Sequence, residues 1–404
     1  MVAPADSNYC GDPTIGPEPL VLGKDETTPS LGWTKPELGF TYLDPSYGTR
    51  LTRVTSAGDD RFNRNPYSRR QTENSDGSLF LTYHGSAQYH VYEVCTNELV
   101  AELEIHPDGE PQWHSRNPTI LRHTTGSNSS VGSLRVQETD VIAGTTETVA
   151  DLTGRVTRLV PTAKYLSDWA EGSPSGDGNR YAWMVFNQLD QPIGIVSYDL
   201  ASDTILGVID LDTSAEVPLI DWVSMSASGE YVVVSGESGT YVYDADLSDR
   251  RLVTEASDHA DLGYDIDGDD AYIYADFSVT SETSGWLVSV DLETLERTKV
   301  FDIYDDGNSS IHVSAKSYDR PGWALVSTYN CKVEGAWTCN KVFAVELVSE
   351  GQIVNLAHTY NCGNQYWTET HAVVNRDFSR VYFNSDSGSC GQDAEVFRID
   401  VPSF

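Results

Sequence analysis

Six side chains recur at one place in a repeated pattern. Arg69, Glu171, Asp221, His259, His312 and His371 each stand roughly seven to nine residues ahead of a turn, as His259 does ahead of "DIDGDD". His114 stands closer to its own turn, "HSRNP". Singly, each suits a turn cap or an exposed position. Gathered on one rim, imidazoles, carboxylates and a guanidinium suit proton transfer, anion binding or metal ligation. His259, His312 and His371 can hold a divalent ion, and His358, thirteen residues before His371, offers a fourth ligand. No HExxH spacing is present to tie such an ion to one helix.

What must position these residues is a turn-then-strand element. It appears as "NSDGSLFLTYH" around Gly77, "SRNPTILRH" around Asn117, "SGDGNRYAWMV" around Gly178, "SASGEYVVVSG" around Gly229, "DIDGDDAYIYA" around Gly268, "YDRPGWALVS" around Pro321 and "NRDFSRVYFNS" around Phe378. Short alternating and β-branched runs dominate, and few stretches carry a helical apolar period. The chain therefore reads as all-β, and units spaced by roughly 40 to 60 residues predict a seven-bladed β-propeller. Residues 38–55 form two strand-like runs that can close the last blade. Residues 1–36 read as an irregular N-terminal strap, and 37–404 as one propeller domain. An open pair of β-sandwiches is the alternative, but it does not require the recurring polar position. In a propeller the innermost strands line a central funnel, so equivalent positions face one another.

Basic residues crowd into 50–70, where Arg50, Arg53, Arg61, Arg64, Arg69 and Arg70 form an island that suits a carboxylate or sulfate. The same residues also suit salt bridges to the many nearby acids. Tyr67, Trp113, Tyr165, Trp169, Trp183, Trp222, Trp323, Tyr366 and Trp367 can stack on sugar faces or fill the wedges between blades.

The chain carries 26 Lys plus Arg against 61 Asp plus Glu, a formal charge of −35. That balance argues against a nucleic-acid or anionic-membrane partner. The opening "MVAPADSNYC" lacks the charged and apolar regions of a signal peptide and reads as a mature form with an added Met1. Six cysteines without a CxxC pair favour disulfides. The short loop between Cys331 and Cys339 favours that bridge, with Cys362–Cys390 and Cys10–Cys95 completing one of the connectivities available. Disulfides imply a secreted protein, extracellular or periplasmic.

The stretches "EPQWHSRNP", "EGSPSGDGNRYAWM", "HADLGYDIDG", "IHVSAKSYDRPGWALVSTY" and "YWTETHAVVNRDFSRVYFNSDSG" together resemble seven-bladed propeller polysaccharide lyases. The resemblance is chiefly to ulvan lyases and more distantly to oligogalacturonate lyases and TolB-like propellers. It implies β-elimination on a uronic-acid polysaccharide, possible with sulfated, ulvan-like chains. By that resemblance His114 and Tyr165 act as base and acid, Arg180 clamps the carboxylate, and His123 fills the place of a second histidine. Arg69, Arg70, Glu171, Trp113, Trp222 and His259 are expected to bind substrate. The oligogalacturonate version instead places a metal on His312, His358 and His371. The expected cofactor is one divalent metal ion, Zn, Mn or Ca, with no organic cofactor. The expected partner is an acidic polysaccharide met by a monomer. A non-catalytic TolB-like binding propeller and a metal-dependent glycan hydrolase are the competing readings.

Overall fold

The computed structural model describes Cys10 and residues 19–25, 33–58, 61–127, 134–169, 171–211, 220–255, 259–304, 309–333, 335–362, 366–390 and 393–404. Nearly all regular structure in them is strand; the sole α-helix among the described residues is the single turn Thr153–Val156. The strands form antiparallel sheets in a propeller arrangement. Among the described residues four sheets have four strands and one has five. A nine-stranded sheet joins the last array to the first through a two-residue parallel pairing, Ala394 with Phe62 and Glu395 with Asn63.

Each array starts from an inner strand: Phe62–Arg64, Gln112–Trp113, Tyr165–Ser167, Ile220–Met225, Ala260–Tyr264, Ser310–Ser314 and Val373–Val374. Each then reaches a turn at the far end of the channel and returns. The turn needs a left-handed residue, which Gly229 supplies at φ 83°. In the last array Phe378 takes that conformation at φ 62°, a strained choice for a bulky residue. Its ring is buried and meets Phe404 edge-on at 5.5 Å.

Burial follows from stacking. A single sheet covers only one face, so apolar clusters form between neighbouring arrays. Ile273 and Ala275 of one array pack with Val313, Val326 and Phe343 of the next. The ring closes with N-terminal chain: Arg50–Arg53 pairs with Ala394–Asp400, and Thr41–Leu43 pairs outside it. The stretch read as an irregular strap also contributes Val21–Leu22, which extends the strand Ile353–His358. Backbone pairing rather than side-chain pattern decides that placement, because a two-residue strand shows no period.

Cys10–Cys95, Cys331–Cys339 and Cys362–Cys390 are bridged as the sequence reading expects. They suit an oxidising compartment. Among the described residues no helix is long and apolar enough to cross a membrane.

The first array departs from the others in one respect that shapes the site. After Phe62–Arg64 the chain does not run straight to its turn. Residues 65–72 cross the channel and are almost wholly buried. Asn65 N–H donates to Asn384 Oδ1 (2.8 Å), Ser173 Oγ donates to the Arg69 carbonyl (2.6 Å), and Gln71 Nε2 donates to the Lys316 carbonyl (2.6 Å). Trp113 Nε1 donates to the Thr72 carbonyl (2.8 Å). One segment thus touches chain from four other arrays and spans the axis. It divides the channel into an entry mouth, where inner strands begin, and a turn mouth, where they end.

Candidate functional site

The entry mouth gathers the histidines. His259 directly precedes Ala260–Tyr264, His312 lies within Ser310–Ser314, and His371 precedes Val373–Val374, so three successive arrays each deliver one imidazole. His259 Nδ1 meets His312 Nδ1 at 2.9 Å, and His312 Nε2 meets Glu369 Oε2 at 2.9 Å. His371 Nε2 lies 3.4 Å from the same oxygen. His312, Glu369 and His371 offer ligand atoms that all lie within 4.8 Å of one another.

The rings are boxed by tyrosines. Tyr329 stacks on His312 at 4.8 Å and 11°, Tyr67 meets His312 edge-on at 5.7 Å, and Tyr366 meets His371 edge-on at 5.4 Å. Burial pushes the His259 imidazole down to about 4, with the Arg69 charge adding to it. Burial and then His312 push His371 down to about 3, and burial holds His312 well below its ordinary value. All three are therefore neutral near pH 7 and keep lone pairs.

Two proton arrangements fit the His259–His312 contact. If His312 donates from Nε2 to Glu369, its Nδ1 accepts from His259, and His259 Nε2 is left as an unprotonated base. If His312 instead gives its Nε2 lone pair to a cation, its Nδ1–H donates to His259, whose Nε2 then carries a proton.

Arg69 lies beside this group. Its guanidinium lies 4.4 Å from the Trp222 ring centre and pairs with Glu171 Oε2 at 3.0 Å. Burial and the nearby Asp221 charge raise Glu171, while Arg69 pulls it down; the net shift is upward. Arg69, Glu171, His259, His312 and His371 thus come together as the recurring position predicts, with Trp222 under Arg69. Asp221, the sixth member, is exposed and reaches the group only through its charge on Glu171.

Other expected residues do not join them. His358 lies in Ile353–His358, the fourth strand outward from the channel, where it is buried against Tyr47 with ring centres 5.0 Å apart. The ligand place assigned to His358 falls to Glu369, which the sequence reading missed. No period in the sequence pointed to it: Glu369 directly follows the 3-10 turn Tyr366–Thr368 and His371 has φ 37°, so strand alternation does not govern where the two side chains point.

His114 sits at the turn mouth with Ser173, Ser175, Lys316 and Arg376. Its Nδ1 accepts from the backbone N–H of Arg116 (3.0 Å) and Asn117 (3.1 Å), so it caps its turn. His123 is bound by Thr124 O (2.8 Å) and Thr139 Oγ1 (2.9 Å) within its sheet. Tyr165 donates to Asp190 (3.3 Å), and Arg180 donates to the Gly229 carbonyl (2.8 Å) in the next array. These four have separate partners and form no constellation. For His114 the reason is polarity along the inner strand, since residues three before a turn and residues eight before it lie at opposite mouths; His123 and Arg180 lie in second strands, and Tyr165 is buried between arrays.

The arginine island also divides. Arg53 pairs with Glu395 (2.7 Å) at the ring closure, and Arg70 pairs with Asp168 (3.0 Å) and Glu110 (3.4 Å). Arg70 is thereby buried in an ion cluster, and Trp113 is held by its bond to Thr72, so neither faces the histidines as a substrate contact. The Trp367 side chain lies outside the described residues.

No protein-family model matches this chain, and no curated protein matches it. Among solved structures the chain is similar to an oligogalacturonate lyase from Vibrio parahaemolyticus, with 12% identity, a TM-score of 0.61, and coverage of 90% of this chain and 97% of that one. It is also similar to the Cps50 (Swd1) β-propeller domain of Myceliophteria thermophila, with 11% identity, a TM-score of 0.50, and coverage of 87% and 100%. At such identities the likeness concerns the fold. It supports a β-propeller for this chain and does not single out ulvan lyases.

Proposed function

We propose that this chain is a secreted polysaccharide lyase that cleaves a uronate-containing glycan by β-elimination at the entry mouth. The observation that carries the reading is the His259–His312–Glu369 chain with His371 beside it. Neutral imidazoles backed by a carboxylate are what removal of a weakly acidic C5 proton needs. A fold shared with an oligogalacturonate lyase supports the same substrate class.

His259 Nε2 takes the C5 proton, and the resulting imidazolium is stabilised through His312 toward Glu369. The electron pair forms the C4–C5 double bond as the C4–O4 bond breaks. Tyr366, about half exposed beside His371 and with its pKa raised by burial, returns a proton to the departing oxygen. Both groups then regain their starting protonation from solvent. Arg69, oriented by Glu171 and Trp222, favours an anionic sugar at the mouth.

The residues present also fit a divalent cation. His371 Nδ1 is buried without a hydrogen-bond partner, and its Nε2 has only the 3.4 Å contact with Glu369, which is costly unless something else uses them. Of the grouped atoms, Glu369 and His371 would hold the ion while His312 Nε2–H stays on Glu369, since an ion on His312 Nε2 would leave His259 Nε2 protonated; when bound there it would neutralise the uronate carboxylate and so acidify the neighbouring C–H.

The test is incubation with polygalacturonate, ulvan, alginate and glucuronan, with and without Mn, Zn or Ca, while following ultraviolet absorbance of the unsaturated product. Absorbance that rises with one of these and is lost in His259→Ala supports the reading. Silence on every uronan under every metal condition overturns it.

A further inference from the structure

Trp169 is a large aromatic in a conformation that such residues avoid. Its φ is 57°, in the left-handed region, yet 47% of the residue is exposed. Such strain persists only where neighbours over-determine it. Here they do. Trp169 N–H donates to Ser167 Oγ at 3.0 Å, and Asp168 N–H donates to Glu110 Oε2 at 2.8 Å. Asp168 is also held by Arg70. On the other side Gly172 lies so close to the next array that a Cβ there would stand 2.2 Å from the Val223 carbonyl oxygen.

The clamped loop turns the indole onto a pile of rings. Trp169 stacks on Phe186 at 5.1 Å and 21°, and Phe186 stacks on Tyr165 at 4.8 Å and 5°. Phe186 and Tyr165 are buried, so the pile is rigid beneath and open only at its top ring. Glu171, two residues on, is the partner of Arg69, which places this open face at the rim of the histidine mouth.

We propose that Trp169 is a sugar-stacking platform, a binding subsite for one pyranose ring of the polysaccharide next to the cleaved linkage. A pyranose presents a face of C–H bonds with hydroxyls at its edge, which suits a rigid indole on the same loop as Glu171, the partner of Arg69. The inference rests on the lyase reading for the identity of the glycan and deepens it by naming where the chain lies.

Binding separates the two. Affinity electrophoresis and calorimetry with polygalacturonate oligomers and ulvan are to be run on wild type, His259→Ala, Trp169→Phe and Trp169→Ala, each checked for unchanged thermal unfolding. Relative to wild type, Trp169→Phe stays within about threefold and Trp169→Ala weakens by about tenfold or more, and the same tenfold loss is seen when Trp169→Ala is added to His259→Ala. If glycan is bound in this pattern but never cleaved, the platform stands and the lyase reading falls. Equal affinity of Trp169→Ala and wild type overturns the platform even if cleavage is seen. Failure of wild type to bind either glycan overturns it as well.

Discussion

His259 and His312 face each other nitrogen to nitrogen, Nδ1 to Nδ1 at 2.9 Å, so a single proton lies between them and its owner sets the role of both rings. Glu369, 2.9 Å from the far nitrogen of His312, biases that choice. Glu369→Gln keeps the shape and removes the charge. The expected result is a fall in kcat of about a hundredfold or more with the melting temperature unchanged. A kcat within about threefold of wild type would remove the relay from the mechanism.

Metal binding is expected at His371 and not at His358. Titration calorimetry of the dialysed protein with Mn or Zn should give one site per chain. His371→Ala should weaken it at least tenfold, because a ligand is lost. His358→Ala, far out in its sheet, should leave the titration as it was. The reverse pattern would restore the assignment made from sequence.

Asp44 gives a pH signature of stability. It is buried, and that burial raises its carboxyl from 3.8 to about 6, while the N–H groups of Tyr47 and Ser46 pull it back. The folded pKa exceeds the unfolded one, so the folded state holds the proton more tightly. Stability from this group is therefore complete below pH 3.8 and is lost as pH rises through about 6. The full difference is about 3 kcal/mol. Asp44→Asn keeps an oxygen acceptor and does not ionise. Its unfolding free energy relative to wild type, from denaturant curves, should climb by about that amount between pH 4 and pH 7; a flat difference contradicts the assignment.

Lys316 and Asp261 form an ion pair at 2.7 Å with both side chains about 2% exposed. Asp261 also accepts the Ala315 N–H at 2.7 Å. Lys316→Met alone leaves a buried charge unpaired and should cost about 3–5 kcal/mol by urea unfolding. Lys316→Met with Asp261→Asn removes that charge and keeps the backbone acceptor, so most of the loss should return. Equal losses in the two variants would show that packing, not charge, holds this contact.

The recurring turn made the propeller legible, because a left-handed residue and an alternating strand leave a strong local pattern. The same repeat pointed to Arg69, Glu171, His259, His312 and His371 as neighbours. It failed for His114, since its distance from the turn, three residues rather than eight, decides which mouth a side chain lines. It failed for His358 because strand order outward from the axis leaves no mark in a β-rich sequence. Glu369 was hidden because it meets His371 through a 3-10 turn and a left-handed residue, which leave no alternation to read. The crossing of residues 65–72 had no local signal, as its buried arginines read like any charged surface.

That crossing has a consequence for how a long molecule is handled. With residues 65–72 tied across the axle of the wheel, the hub is not built to reel a rope as a pulley does. On the proposed reading a polymer would approach and depart on one side alone, and the histidines would work on whatever bend of it is laid down over them.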